Sequence, residues 1–166
     1  MRIHGPKSYA EVLRVFGEEN KHKDSWYDGP EKDSWPRGRF AEANAQFNEQ
    51  WCECELTPAD VLRVKLPWNN EFEIPKEGML VEAALKLSRV KTWIDEGSYA
   101  IYPHNTHVVL ASRVLVNTSS VEQQFMRDHD GYLIHLDGLH RLLAWAHLKF
   151  NVLAFLAGPP PETTET

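Results

Sequence analysis

The stretch Gly131-Tyr132-Leu133-Ile134-His135-Leu136-Asp137-Gly138-Leu139-His140-Arg141-Leu142-Leu143-Ala144-Trp145-Ala146 decides the fold. Tyr132–Leu136 reads as a strand, with His135 facing away from Ile134 and Leu136 and sharing its side with Leu133 and Asp137. Asp137-Gly138 breaks the strand, and Leu139–Leu148 reads as a helix that begins at once. A strand running straight into a helix is the connection of an α/β fold. The same corner can carry chemistry. A helix N-terminus leaves several N–H groups without partners and holds a partial positive charge. Gly138 lets a ligand come close to the backbone, and His140 and Arg141 can add donors from the first turn. Such a corner suits an oxyanion: phosphate, sulfate or carboxylate. Asp137 can cap the helix or, more sharply, bind a hydroxyl or a metal. The plainer alternative makes Asp137 a cap and Arg141 half of a surface ion pair.

The flanking segments continue the alternation of element types. Upstream, Ser8-Tyr9-Ala10-Glu11 reads as a capping box, and Tyr9, Val12, Leu13 and Phe16 form one helical face that Gly17 would end. Residues 19–39 read as a loop in which Trp26 and Trp35 pin the chain to the body or, as the sharper alternative, anchor a lid. Phe40, Ala43, Phe47 and Trp51 predict a second helix over 39–51. Cys52–Leu56 alternates as a strand, and Thr57-Pro58 opens a short helical turn to Leu62. Leu66-Pro67 ends that unit, and 68–78 is an irregular acidic connection. Leu80, Ala83, Ala84, Leu87, Val90 and Ile94 share one stripe and predict a long helix, Met79–Glu96, with Gly97 at its stop. Tyr99–Tyr102 and Val108–Val116 read as strands. Ser119-Ser120 with Glu122 would cap a short helix through Met126, Asp128–Gly131 is a turn, and Val152–Leu156 is a last strand. The expected layout is an N-terminal helical extension over 1–51, an α/β (α+β) core with a small mixed sheet over 52–158, and a frayed tail over 159–166.

Composition bounds the rest. The chain has 166 residues, ordinary for one domain, and six tryptophans, which argue for a substantial core or an aromatic-lined pocket. Eighteen basic residues against 24 acidic ones give a net charge of −6, which argues against general nucleic-acid binding. The apolar run Leu142–Leu156 is interrupted by His147, Lys149 and Asn151, too broken for a membrane span, and Met1–Pro6 lacks an apolar signal core. A cytoplasmic location is the resulting expectation. Cys52 and Cys54 lie on one strand face without a second pair, so they read as core cysteines and not as half of a zinc site. His104 and His107 read as solvent-exposed loop histidines, with a metal pair as the sharper alternative.

Leu136-Asp-Gly-Leu-His-Arg-Leu-Leu-Ala144 resembles the signature of the ParB/sulfiredoxin-like superfamily, in which a strand leads through Asp-Gly-x-His-Arg into a helix. The strand Cys52–Leu56 with its turn Thr57–Leu62, the helix Met79–Glu96 with Gly97 and a strand towards Pro103, and the closing strand Val152–Leu156 resemble the family's order. The resemblance covers roughly residues 52–158. It implies a small α/β fold with a nucleotide or phosphate at the start of the motif helix. Members include sulfiredoxins using ATP, CTP-hydrolysing partition proteins and serine kinases using ADP or ATP. Carried over, Gly138, Leu139, His140 and Arg141 would hold phosphates. Sulfiredoxin chemistry needs a cysteine in the motif, and Leu139 stands there. No basic helical domain follows the motif, so chromosome partition is not expected either.

The reading that survives is a small-molecule enzyme holding a phosphate- or sulfate-bearing substrate, or a nucleotide, at 137–141. It would transfer a phosphoryl group or expel an oxyanion, because donors that bind the anion also stabilise it as it leaves. ATP or ADP with Mg²⁺ is the cofactor that the resemblance admits, and no metal ligands are assigned. His140 and Asp137 are the candidate catalytic residues. A carboxylate base is sought among Glu71, Glu73, Glu77 and Glu82, with Glu77 and Glu82 preferred. The alternatives are a non-catalytic accessory subunit of a biosynthetic complex, as part of a homo- or hetero-oligomer, and a ParB-like nuclease.

Overall fold

The computed structural model describes residues 1–20, 37–97, 106–118, 120–126 and 131–161. Trp26, Trp35, His104, the strand expected at Tyr99–Tyr102, Ser119 and most of the turn expected at Asp128–Gly131 lie outside them, as do residues 162–166 of the expected tail.

In chain order the elements are β1 (Arg2–Lys7), α1 (Tyr9–Asn20), α2 (Arg37–Gln46), β2 (Trp51–Leu56), α3 (Pro58–Leu62), β3 (Lys65–Leu66), β4 (Met79–Leu80), α4 (Val81–Ala84), α5 (Ser88–Asp95), β5 (His107–Ala111), α6 (Val121–Gln124), β6 (Ile134–Asp137), α7 (Leu139–Leu148) and β7 (Val152–Ala157). The strands form one mixed seven-stranded sheet in the order β1-β2-β7-β5-β6-β3-β4. β7 pairs parallel with β5 and β6 with β3, and the other neighbours are antiparallel. The chain is therefore an α/β protein. Among the described residues no helix is long and apolar enough to cross a membrane.

The central strands are apolar on both sides because both faces are covered. One face joins Cys52, Cys54, Leu56, Val108 and Leu110 to Val61, Val81, Val90, Leu142 and Leu143 of α3, α4, α5 and α7. The other joins Trp51, Val109, Ile134, Leu136 and Phe155 to Val12, Phe16, Phe40 and Ala43 of α1 and α2. Alternation along β2 thus puts both cysteines in one core, as expected, and both are free thiols. Burial pushes the Cys54 thiol up to about 12.

The first 51 residues are not wholly helical. Arg2–Lys7 is an edge strand, which tolerates Pro6 because its outer side needs no ladder donor. The Ser8–Glu11 capping box forms, with Ser8 N–H on Glu11 Oε2 at 2.8 Å and Glu11 N–H on Ser8 Oγ at 3.1 Å. Gly17, expected to stop α1, sits inside it. α2 ends earlier than expected, because Asn48 and Glu49 take left-handed backbone (φ 51° and 62°) that turns the chain into β2. The capping box predicted around Thr57-Pro58 opens α3.

The long helix predicted over Met79–Glu96 is three pieces. Gly78, with φ +74°, folds the chain so that Leu80 and Met79 pair with Lys65 and Leu66. One helical turn follows, Leu87 is extended (ψ 137°), and α5 restarts at Ser88. Ala84, Val90 and Ile94 of the predicted stripe enter one cluster and Leu87 packs against it, but Ala83 is exposed and Val81, outside the stripe, is buried in its place. Gly97 ends α5 with φ +68°, as expected. The strand predicted over Val108–Val116 stops at Ala111. Beyond it the Gln46 side chain replaces a neighbouring strand, donating to Val114 O at 3.0 Å and accepting from Val116 N–H at 2.8 Å.

Candidate functional site

β6 delivers the chain to Gly138, whose φ of +94° turns it directly into α7. Leu142 N–H makes the first bond of the helix, to Gly138 O at 2.9 Å. The amides of Leu139, His140 and Arg141 precede it, and Gly138 has no side chain to cap them. The glycine and the helix are thus where the sequence places them, whereas the strand, expected over Tyr132–Leu136, runs from Ile134 through Asp137.

The side chains divide into two groups. Arg141 turns inward: Nη2 donates to Asp137 Oδ2 at 2.9 Å and Nη1 to His107 O at 2.8 Å. Asp137 is 5% exposed and Arg141 3%. Gly138 is needed here for that pair. A Cβ on it would lie 2.9 Å from Val108 Cγ1 and 3.0 Å from Arg141 Nη2. Asp137 and Arg141, both expected to serve an anion at this corner, are thus buried and bonded to each other. A buried guanidinium needs a carboxylate against it, and the pair joins α7 to β6 and β5.

His140 turns outward and is half-buried. Its Nε2 lies 3.1 Å from Glu71 Oε2. Its ring meets Phe72 and Trp93 edge-on, each at 5.3 Å between centroids, and those two rings meet each other at 5.6 Å. The 68–78 connection is ordered enough to do this. Asn69 and Ile74 bridge it, Asn69 Oδ1 accepts Phe72 N–H at 2.9 Å, and Phe72 and Ile74 enter the core. Arg89 of α5 braces it from outside, with Nε 3.1 Å from Glu73 Oε1 and Nη1 on Glu71 O at 3.4 Å. Of the four candidate carboxylates, Glu71 reaches the corner. Glu77 and Glu82, the preferred pair, are exposed and make no hydrogen bond or ion pair among the described residues.

A family profile matches residues 1–166. The chain belongs to DUF6309, a family of unknown function. No curated protein and no solved structure matches it. The DUF6309 match runs through β1, α1 and α2 as well as the corner, in keeping with one sheet that joins them all.

Two histidines escape the sequence reading. His107, read as a solvent-exposed loop residue, begins β5 and lies between Glu19 and Glu53. The Cys-Glu-Cys-Glu alternation already put Glu53 on the face opposite the cysteines, but nothing local ties it to residues 19 and 107. His135 is 4% exposed, and neither ring nitrogen has a hydrogen-bond partner. Burial, helped by the positive charges of Arg39 and Arg141, holds its pKa well below the usual value.

Proposed function

We propose that the protein is a small-molecule enzyme that holds an anionic group against the Leu139, His140 and Arg141 amides and moves a proton through His140. The observation that carries this is the His140–Glu71 pair at 3.1 Å, set in the first turn of α7, where Gly138 offers no side-chain cap. A carboxylate on one imidazole nitrogen fixes the ring's orientation and leaves the other nitrogen to face a substrate. Phe72 and Trp93 add an apolar wall that limits water at the imidazole. Glu71 takes the role for which Glu77 and Glu82 were candidates. Arg141 and Asp137 act from beneath, by fixing where the helix starts.

The resemblance to the ParB/sulfiredoxin-like superfamily supports the same corner, through Asp137-Gly-Leu-His-Arg141. A phosphate- or sulfate-bearing substrate or a nucleotide fits its donors, with phosphoryl transfer or departure of an oxyanion as the chemistry. Mg²⁺ fits it poorly, because Asp137 and Glu71 are engaged by Arg141 and His140. No step of the proposed chemistry passes through a metal. The test is amide NMR with phosphate, sulfate, pyrophosphate, ADP, ATP and CTP. Saturable shifts confined to Leu139–Leu142 and Glu71–Phe72 are expected, lost in His140→Ala and weakened in Glu71→Gln. No shift there with any anion at millimolar concentration overturns the reading.

The accessory-subunit reading keeps one specific support. Val121 and Phe125, four residues apart at α6, are each 49% exposed. Association that Phe125→Ser abolishes would favour it.

A further inference from the structure

Among the described residues, a dense group of titratable side chains outside the corner surrounds His107. Its ring lies flat on Phe155 of β7, 4.4 Å between centroids and 5° between planes. Nδ1 is 2.7 Å from Glu19 Oε1 in the last turn of α1, and Nε2 is 2.8 Å from Glu53 Oε1 of β2. Glu19 also accepts the His107 backbone N–H at 3.1 Å and the Thr106 hydroxyl. Lys7 of β1 stands 3.5 Å from the other Glu53 oxygen. From α7, Arg141 Nη1 holds the His107 carbonyl, with Asp137 of β6 behind it. Among the described residues, the charged groups around the ring are two carboxylates in contact, with one ammonium and the Arg141–Asp137 pair further out.

An imidazole can donate from both nitrogens only as the cation. A neutral ring would aim a lone pair at a carboxylate oxygen less than 3 Å away. We propose that His107 is a proton-operated clamp that fastens the end of α1 to the sheet by joining Glu19 to Glu53. With the proton gone, either Glu19 or Glu53 loses its ring donor, so the ring no longer joins the two, while the His107 amide and the Thr106 hydroxyl stay on Glu19. α1 carries Phe16, whose ring meets Phe40 of α2 edge-on at 5.0 Å, so the clamp also bears on how the two helices cover that face.

Burial alone would favour the neutral ring, but the hydrogen bonds and charges of Glu19 and Glu53 outweigh it and leave the His107 pKa above its usual value of 6.5. A pKa raised by folding means that the clamp is complete below that usual value and is lost as pH rises through the higher one. The device therefore releases as pH rises, above the range in which an ordinary histidine titrates, and it needs no ligand at the α7 corner.

The experiment is an NMR titration of the His107 ring nitrogens in the full chain, with hydrogen-exchange protection factors for Gly17–Asn20 over the same pH range. Both nitrogens protonated below the midpoint, a midpoint above 6.5 and protection that falls as pH rises through it are expected. Glu19→Gln and Glu53→Gln should each lower the midpoint by roughly a unit. His107→Gln should show low protection at every pH. Should that variant not fold, the two glutamate variants carry the test. A midpoint at or below 6.5, or protection that stays level through the midpoint, overturns the clamp.

Discussion

Arg141 is bonded to Asp137, four residues before it, across the backbone turn at Gly138, and both side chains are buried. A motif that reads as an open anion cradle thus has its charged pair facing the core. Arg141→Ala and Asp137→Ala should each cost about 3–5 kcal/mol of stability, since either leaves an uncompensated buried charge. Urea unfolding measures this. Replacing both with apolar residues should cost less than either single change. Loss of anion binding in Arg141→Ala with stability intact would instead place the guanidinium on the ligand.

Gly138 and Gly97 form a matched pair of tests. Both have positive φ, +94° and +68°, but a Cβ on Gly97 meets nothing within 4 Å, whereas one on Gly138 meets Val108 and Arg141. Gly97→Ala should cost about 1 kcal/mol from backbone strain alone. Gly138→Ala should cost about 2–4 kcal/mol, because the Cβ also displaces packed atoms. Equal losses would mean that the close approach at Gly138 yields easily.

His135 should make stability depend on mild acid. Its pKa is held down by burial first and by neighbouring positive charge second. The unfolded chain then binds a proton near the usual value of 6.5 that the folded chain refuses, so stability falls as pH drops below that value. The slope should approach about 1.4 kcal/mol per pH unit, the value for one proton. Glu11, Glu19, Glu53 and Asp60, all with lowered pKa values, add their own losses chiefly below about pH 5. Stability in His135→Leu should be nearly flat between pH 6.5 and 5. A slope that survives the substitution would assign the proton elsewhere.

Gln46→Ala should free the Val114 carbonyl and the Val116 amide together. A loss of about 1 kcal/mol is expected. Hydrogen exchange should quicken at Val116 while the β5 amides stay protected, and quickening along β5 would show that the clasp supports the whole strand.

Much of this architecture was legible in the chain itself, and the particular failures are instructive. The capping boxes at Ser8 and Thr57 involve residues three apart, so local sequence contains both partners. The Asp137-Gly138 break does the same. Met79–Glu96 misled because one apolar stripe suits a single helix and also a strand, a turn and a helix against the same core. Arg2–Lys7 has no strand pattern, since an edge strand with Pro6 and Gly5 gains its order from β2. At the site, Glu71 could not be chosen from its neighbours, because what selects it is the Asn69–Ile74 bridge that brings it to His140. Arg141 looked exposed because first-turn residues usually are, and the acceptor that draws it inward, His107 O, is 34 residues away.

The place of β7 in the sheet has a consequence for the order of assembly. β7 pairs with β2 along Trp51–Leu56 and with β5 along His107–Ala111. During synthesis both of those strands are made long before Val152–Ala157, so each must wait with an unpaired edge in what becomes the middle of the sheet. Pairings of such long sequence separation fold slowly, and waiting edges are templates for other chains. The nascent sheet is therefore most exposed to misassociation just before β7 arrives, and insertion of β7 closes both edges in one step.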